Sequence, residues 1–114
     1  MPFKFSHCLC LQTPDIDRAV AFYHRLMGFE VKFHEGDSAE LEAGPYRLFV
    51  DRGGRMGPIM EFLVPDVEVA REELVEAGCE VVRWEGAGER CYLRDPFGFI
   101  LNLYEDPAAF RKQA

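Results

Sequence analysis

Leu11-Gln12-Thr13-Pro14-Asp15 and Phe62-Leu63-Val64-Pro65-Asp66 decide the fold, because one pattern is written twice, about fifty residues apart. In each copy a run of strand formers is stopped by a proline, which cannot donate to a ladder. An aspartate follows, a good N-cap for a helix. Upstream of the first copy, Phe5 to Thr13 alternates loosely and predicts a strand. Downstream, Ile16, Ala19, Val20, Phe22, Tyr23, Leu26 and Met27 recur at three- and four-residue spacing, which predicts an amphipathic helix over 16–27 closed by Gly28. Val67, Ala70, Leu74, Val75 and Ala77 repeat that spacing ahead of Gly78. Met27-Gly28-Phe29-Glu30-Val31 is likewise echoed by Ala77-Gly78-Cys79-Glu80-Val81.

Three short strands are expected after each helix: 29–34, 39–42 and 46–50 in the first half, and 80–84, 90–93 and 99–104 in the second. Gly36-Asp37, Gly44-Pro45, Gly86-Ala87-Gly88 and Asp95-Pro96-Phe97-Gly98 supply the turns. Arg52-Gly53-Gly54-Arg55 and Gly57-Pro58 form a joint before the strand at 59–64. A phosphate cradle would instead open a helix after a strand. The fold class is therefore α+β, two tandem βαβββ modules. They span 3–52 and 57–106 of one domain covering 3–106, with 107–114 as a C-terminal tail whose residues from Phe110 on are expected to fray.

Composition narrows the function. The formal net charge is −7 and no Lys/Arg run occurs, which argues against nucleic acid and gives no attraction to an anionic membrane surface. No apolar run reaches the roughly twenty residues of a spanning helix. Met1 to Leu11 lacks a charged stretch followed by a long apolar one, so a cytoplasmic protein is expected. Cys8, Cys10, Cys79 and Cys91 are accordingly expected as reduced thiols. No Cys-x-x-Cys knuckle of a zinc site is present.

Asp15, Ala21-Phe22-Tyr23 and Met27-Gly28-Phe29, followed by Phe62-Leu63-Val64-Pro65-Asp66, Glu76-Ala77-Gly78 and Asp95-Pro96-Phe97-Gly98 ahead of Ile100–Glu105, carry a likeness over residues 5–106. In these motifs the chain resembles the glyoxalase/bleomycin-resistance/dioxygenase (vicinal oxygen chelate) superfamily. The resemblance implies curled mixed sheets around an open cleft, and commonly a homodimer. It also implies a divalent metal held by four His or Glu side chains from the first and last strands of each module. Those positions fall here on Cys8, Leu48 (to within one residue), Ile59 and Asn102. Leu and Ile have no donor atom and Asn is a weak neutral ligand, so no metal cofactor is expected. His7 lies one residue out of phase, and only a bulge would turn it inward.

Alternation from these positions puts Cys8, Cys10, Gln12, Leu48, Glu61, Asn102 and Tyr104 forward as ligand-binding residues, and Tyr92 joins them as an aromatic able to stack on a planar ligand. Glu61 is the charged member and the best catalytic candidate, as a general base or as the partner of a cationic substrate group. A plain ion pair with Arg47, Arg90 or Arg94 competes with that reading. The expected function is a glyoxalase/bleomycin-resistance-like protein that binds a small aromatic or cationic molecule in its cleft without the usual metal. The alternative is a lyase or dioxygenase dependent on Zn, Ni, Mn or Fe, drawing on His7, Glu61 and Glu105. The small-molecule ligand and a second copy of the chain are the expected partners, the latter because exposed sheet edges invite pairing.

Overall fold

The computed structural model of the chain describes residues 2–111. Its elements run β1 (Lys4–Thr13), α1 (Ile16–Arg25), β2 (Glu30–Glu35), β3 (Ser38–Ala43), β4 (Tyr46–Arg52), β5 (Met56–Val64), α2 (Val67–Glu76), β6 (Glu80–Trp84), β7 (Cys91–Arg94) and β8 (Ile100–Glu105). The βαβββ order thus occurs twice, as the repeat predicts. The contacts divide into two compact units, one of His7–Ile59 and one of Met1–Ser6 with Met60–Ala114. The break falls inside β1, so Lys4 to Ser6 belong with the second half and not with the module of 3–52.

In the first unit the strands lie in the order β2-β3-β4-β1, with β1 parallel to β4 and the other pairs antiparallel. Leu9, Leu11, Val31, Ala39, Leu41, Leu48 and Val50 turn one face of that sheet to Ile16 and Val20 of α1. The second unit repeats this as β6-β7-β8-β5, with β5 parallel to β8. There Val64, Cys91, Leu93 and Leu103 pack on Val67 and Ala70 of α2. The repeat extends to irregularities. Each outer strand slips register at the same point, between Val31 and Phe33 and between Val81 and Arg83, which interrupts the expected alternation.

The helix starts follow the sequence signals. Asp15 accepts from the Arg18 amide, and Asp66 accepts from the amides of Glu68 and Val69. The α2 start has a further anchor, since the Val67 N–H donates to Glu105 Oε1 across 2.9 Å. α1 ends two residues before the expected Met27. Gly28, at φ +76°, and Gly78, at φ +108°, reverse the chain into β2 and β6 in a conformation that favours glycine. Of the stretch expected to fray, Phe110 instead closes a short turn. Pro107–Phe110 forms a 3-10 turn, and the Lys4 ammonium donates to the Ala109 carbonyl while lying 4.9 Å from the Phe110 ring centroid. The remainder of the expected tail, 112–114, lies outside the described residues. Among the described residues no helix is long and apolar enough to cross a membrane.

Candidate functional site

Strand pairing sorts the second unit's side chains. Glu61 on β5 pairs with Asn102 on β8, which pairs in turn with Tyr92 on β7. Directly paired residues share a face, so Glu61, Asn102 and Tyr92 lie side by side on the face opposite α2. Tyr104, two residues beyond Asn102, joins them. Four of the residues expected at a ligand site are thus brought together within one unit.

Their chemistry centres on one carboxylate. Glu61 is 15% exposed at its side chain, and its Oε2 accepts from Arg90 Nη1 at 2.8 Å and from Asn102 Nδ2 at 3.4 Å. The Arg90 guanidinium also lies over the Tyr104 ring, 4.6 Å from its centroid. A single planar cation therefore meets a carboxylate with its edge and an aromatic face with its plane, two contacts suited to guanidinium. Asn102 is 4% exposed, the one buried polar residue among those described. Its Oδ1 is fully buried and has no hydrogen-bond partner in the protein. The orientation of the amide is fixed chemically, because turning it over would set oxygen against a carboxylate that can only accept.

The first unit presents a different face. Cys8, Cys10 and Gln12 on β1 pair with Arg47, Phe49 and Asp51 on β4, all away from α1. Cys10 Sγ donates to Asp51 Oδ2 at 3.4 Å, and Ser38 Oγ donates to Asp51 Oδ1 at 2.6 Å. Arg47 bonds both oxygens of Glu40, at 2.8 and 3.0 Å, and lies 5.1 Å from the Phe49 centroid. That hydrogen bond and charge hold the Glu40 carboxyl below its usual range, against the opposing effect of burial. Leu48 departs from expectation. It packs in the α1-facing core, one residue out of phase with Cys8 and Cys10, because β4 runs parallel to β1 with Cys8 opposite Arg47.

The proposed metal donors fare differently. Cys8 is buried, while His7 is exposed and occupies the left-handed region at φ 65°, a local kink in β1 that leaves Cys8 as the inward residue. Glu105 lies on the α2 side of β8, where it caps Val67, whereas Glu61 lies on the opposite side. The His7, Glu61 and Glu105 combination is therefore corrected, since its two carboxylates face away from each other. Among the described residues no group of three or more His, Cys, Asp or Glu side chains is disposed to hold a metal ion. Cys8, Leu48, Ile59 and Asn102 do not fit a divalent metal either. Two lack donor atoms, and the carboxylate beside Asn102 already faces the Arg90 cation.

Arg94, a second candidate partner for Glu61, pairs with Glu80 instead. Trp84 lies on the α2 side, with the Arg71 guanidinium 4.1 Å from its centroid. His24 and His34 are exposed, bonded to the Phe29 carbonyl and to Asp17. An apolar recess of about 190 Å³ beside α2, lined by Phe3, Phe62, Leu74, Leu101 and Leu103, offers no polar group to orient a ligand. What the sequence alone does not reveal is the stacking of Arg90 on Tyr104. The alternation Arg90-x-Tyr92 opposite Asn102-x-Tyr104 was its visible trace.

Comparison with known proteins gives a consistent result. Residues 8–103 match the family described as the glyoxalase-like domain. No curated protein matches the sequence. Among solved structures, a hypothetical protein from Bacillus halodurans C-125 superposes with a TM-score of 0.65 at 14% identity, covering 100% of this chain and 99% of its own. A glyoxalase/bleomycin resistance protein/dioxygenase superfamily member from Vibrio splendidus 12B01 gives 0.60 at 18% identity, covering 92% and 100%. An extradiol ring-cleaving dioxygenase from Brevibacterium fuscum gives 0.60 at 22% identity over 86% of this chain, which spans only 31% of the dioxygenase. At these identities the likeness is one of fold.

Proposed function

Because the chain belongs to the glyoxalase-like domain family, we propose that it is a small-molecule-binding member whose ligand contacts the face of the second unit's sheet opposite α2, without the divalent metal usual in enzymes of that fold. One observation carries the reading. Asn102 Oδ1 is buried with no protein partner, at the strand position where the resemblance puts a metal-binding carboxylate. A buried acceptor left unmet costs about 1–3 kcal/mol, and a ligand N–H or O–H donor removes that cost. Glu61, Tyr92 and Tyr104 around it supply one charged and two amphipathic aromatic contacts. A few convergent polar groups among apolar ones is the make-up of a ligand site.

The test is a melting-temperature survey with donor-bearing aromatic molecules, repeated on Asn102→Leu, alongside the metal content of protein purified without chelator. A ligand that raises the melting point of the wild type but not of N102L supports the reading. Near-stoichiometric metal, or a rise of several degrees with Zn, Ni, Mn or Fe, overturns it. The same reading places the protein in the cytoplasm as a homodimer. Support for the dimer comes from β2 and β6, outer strands with a neighbour on one side only. Sedimentation at micromolar concentration checks it.

A further inference from the structure

We infer that Arg90 is an internal occupant of this site, and that the ligand it stands in for is a planar cation with coplanar N–H donors, an amidinium or guanidinium. The inference rests on the reading of the site given above and names its ligand class. The Arg90 side chain is 48% exposed, yet its guanidinium has settled with its edge on Glu61 and its plane over Tyr104. Those two contacts are what a free amidinium would seek, a carboxylate acceptor and an aromatic face.

The internal occupant is also an incomplete one. The acceptor beside it, Asn102 Oδ1, stays unmet. An amidinium carries N–H donors on two coplanar nitrogens; with one nitrogen on Glu61, the other would supply the donor that Asn102 Oδ1 lacks, a bond the tethered guanidinium does not make. Arg90 is half exposed while Glu61 is only 15% exposed, so Arg90 can swing into water only if another cation takes its place on the carboxylate. The chain's net charge of −7 adds long-range attraction for a cation. Arg90 then acts as a competitor tethered to the site, lowering apparent affinity by the fraction of time it occupies Glu61.

The experiment measures binding of benzamidine by titration calorimetry to the wild type, Arg90→Ala, and the double variant Arg90→Ala/Glu61→Gln. Tetramethylammonium is the control, a cation of equal charge with no N–H and no plane. Removing the tethered competitor should tighten benzamidine binding about three- to tenfold. The gain should vanish in the double variant and be absent for tetramethylammonium. No gain in R90A, an equal gain for tetramethylammonium, or a gain that survives Glu61→Gln each overturns the inference. Should R90A fail to fold, Arg90→Met keeps the aliphatic stem without its donors and carries the same comparison. A neutral ligand that needs Asn102, found alongside an R90A indifferent to benzamidine, would sink the cation inference and leave the site reading standing. Failure of both experiments would sink the two together.

Discussion

Replacing Asn102 by leucine should make the protein more stable while removing its capacity to bind. Asn and Leu carry the same number of side-chain heavy atoms with the same branching, so the substitution changes chemistry more than shape. It deletes an acceptor whose burial without a protein partner costs about 1–3 kcal/mol. Against that stand the lost bond to Glu61, stretched to 3.4 Å, and slight overpacking by two methyls, together about 1 kcal/mol. Glu61 keeps its shorter bond to Arg90, at 2.8 Å. The net expectation is a gain of about 1 kcal/mol, or a melting point higher by roughly 3–5 °C for a chain of this size. Urea unfolding with an unchanged m-value is the assay that separates native-state stabilisation from a change in the unfolded chain. Asn102→Asp makes the opposite case, since a second carboxylate beside Glu61 destabilises at neutral pH. A cooperative N102L that loses 1 kcal/mol or more would refute the reasoning, because Oδ1 would then have been a satisfied acceptor.

Three further outcomes are expected. Asp66→Ala removes the acceptor for the Glu68 and Val69 amides and should cost about 1 kcal/mol in urea unfolding, softened by the Glu105 bond to Val67. Glu40 has a folded pKa below its unfolded one, so its contact with Arg47 stabilises above the ordinary Glu range and fades as pH falls through the folded value. Arg47→Met should therefore lose a few tenths to 1 kcal/mol at pH 7 and progressively less as the pH falls below the ordinary Glu range, read from melting curves. Burial pushes the thiols of Cys79 and Cys91 up, so mass-spectrometric mapping after brief alkylation at pH 8 should find both unmodified in the native state and labelled in urea.

The sequence was most informative where a residue acts through its own backbone or its immediate neighbours. Pro14 and Pro65 end strands, Asp15 and Asp66 cap helices, and Gly28 and Gly78 reverse the chain, each by local geometry. Two of these signals at a constant spacing were enough to expose the repeat. Alternation puts Glu61, Asn102 and Tyr104 on one face, because within one strand the side-chain period is fixed at two, and Tyr92, expected as a stacking aromatic, lies on that face too. It failed at Leu48, where the answer depends on register between β1 and β4, strands some forty residues apart whose pairing is set by packing on α1. It also could not choose among Arg47, Arg90 and Arg94 as the partner of Glu61. Long charged side chains reach across strands, and within the second unit Arg94 is taken by Glu80 while Arg90 reaches Glu61.

The division inside β1 bears on how this protein could be dissected. Cutting at the glycine joint, where the repeat invites it, would leave Phe5 on one fragment and its ring neighbour Phe62, 5.9 Å away, on the other. The Lys4 anchor of the Ala109–Phe110 turn would be stranded in the same way. Neither half of the gene encodes a complete half of the fold. A minimal autonomous fragment of the second module would have to borrow residues 3–6, for instance by circular permutation that joins them after the last turn.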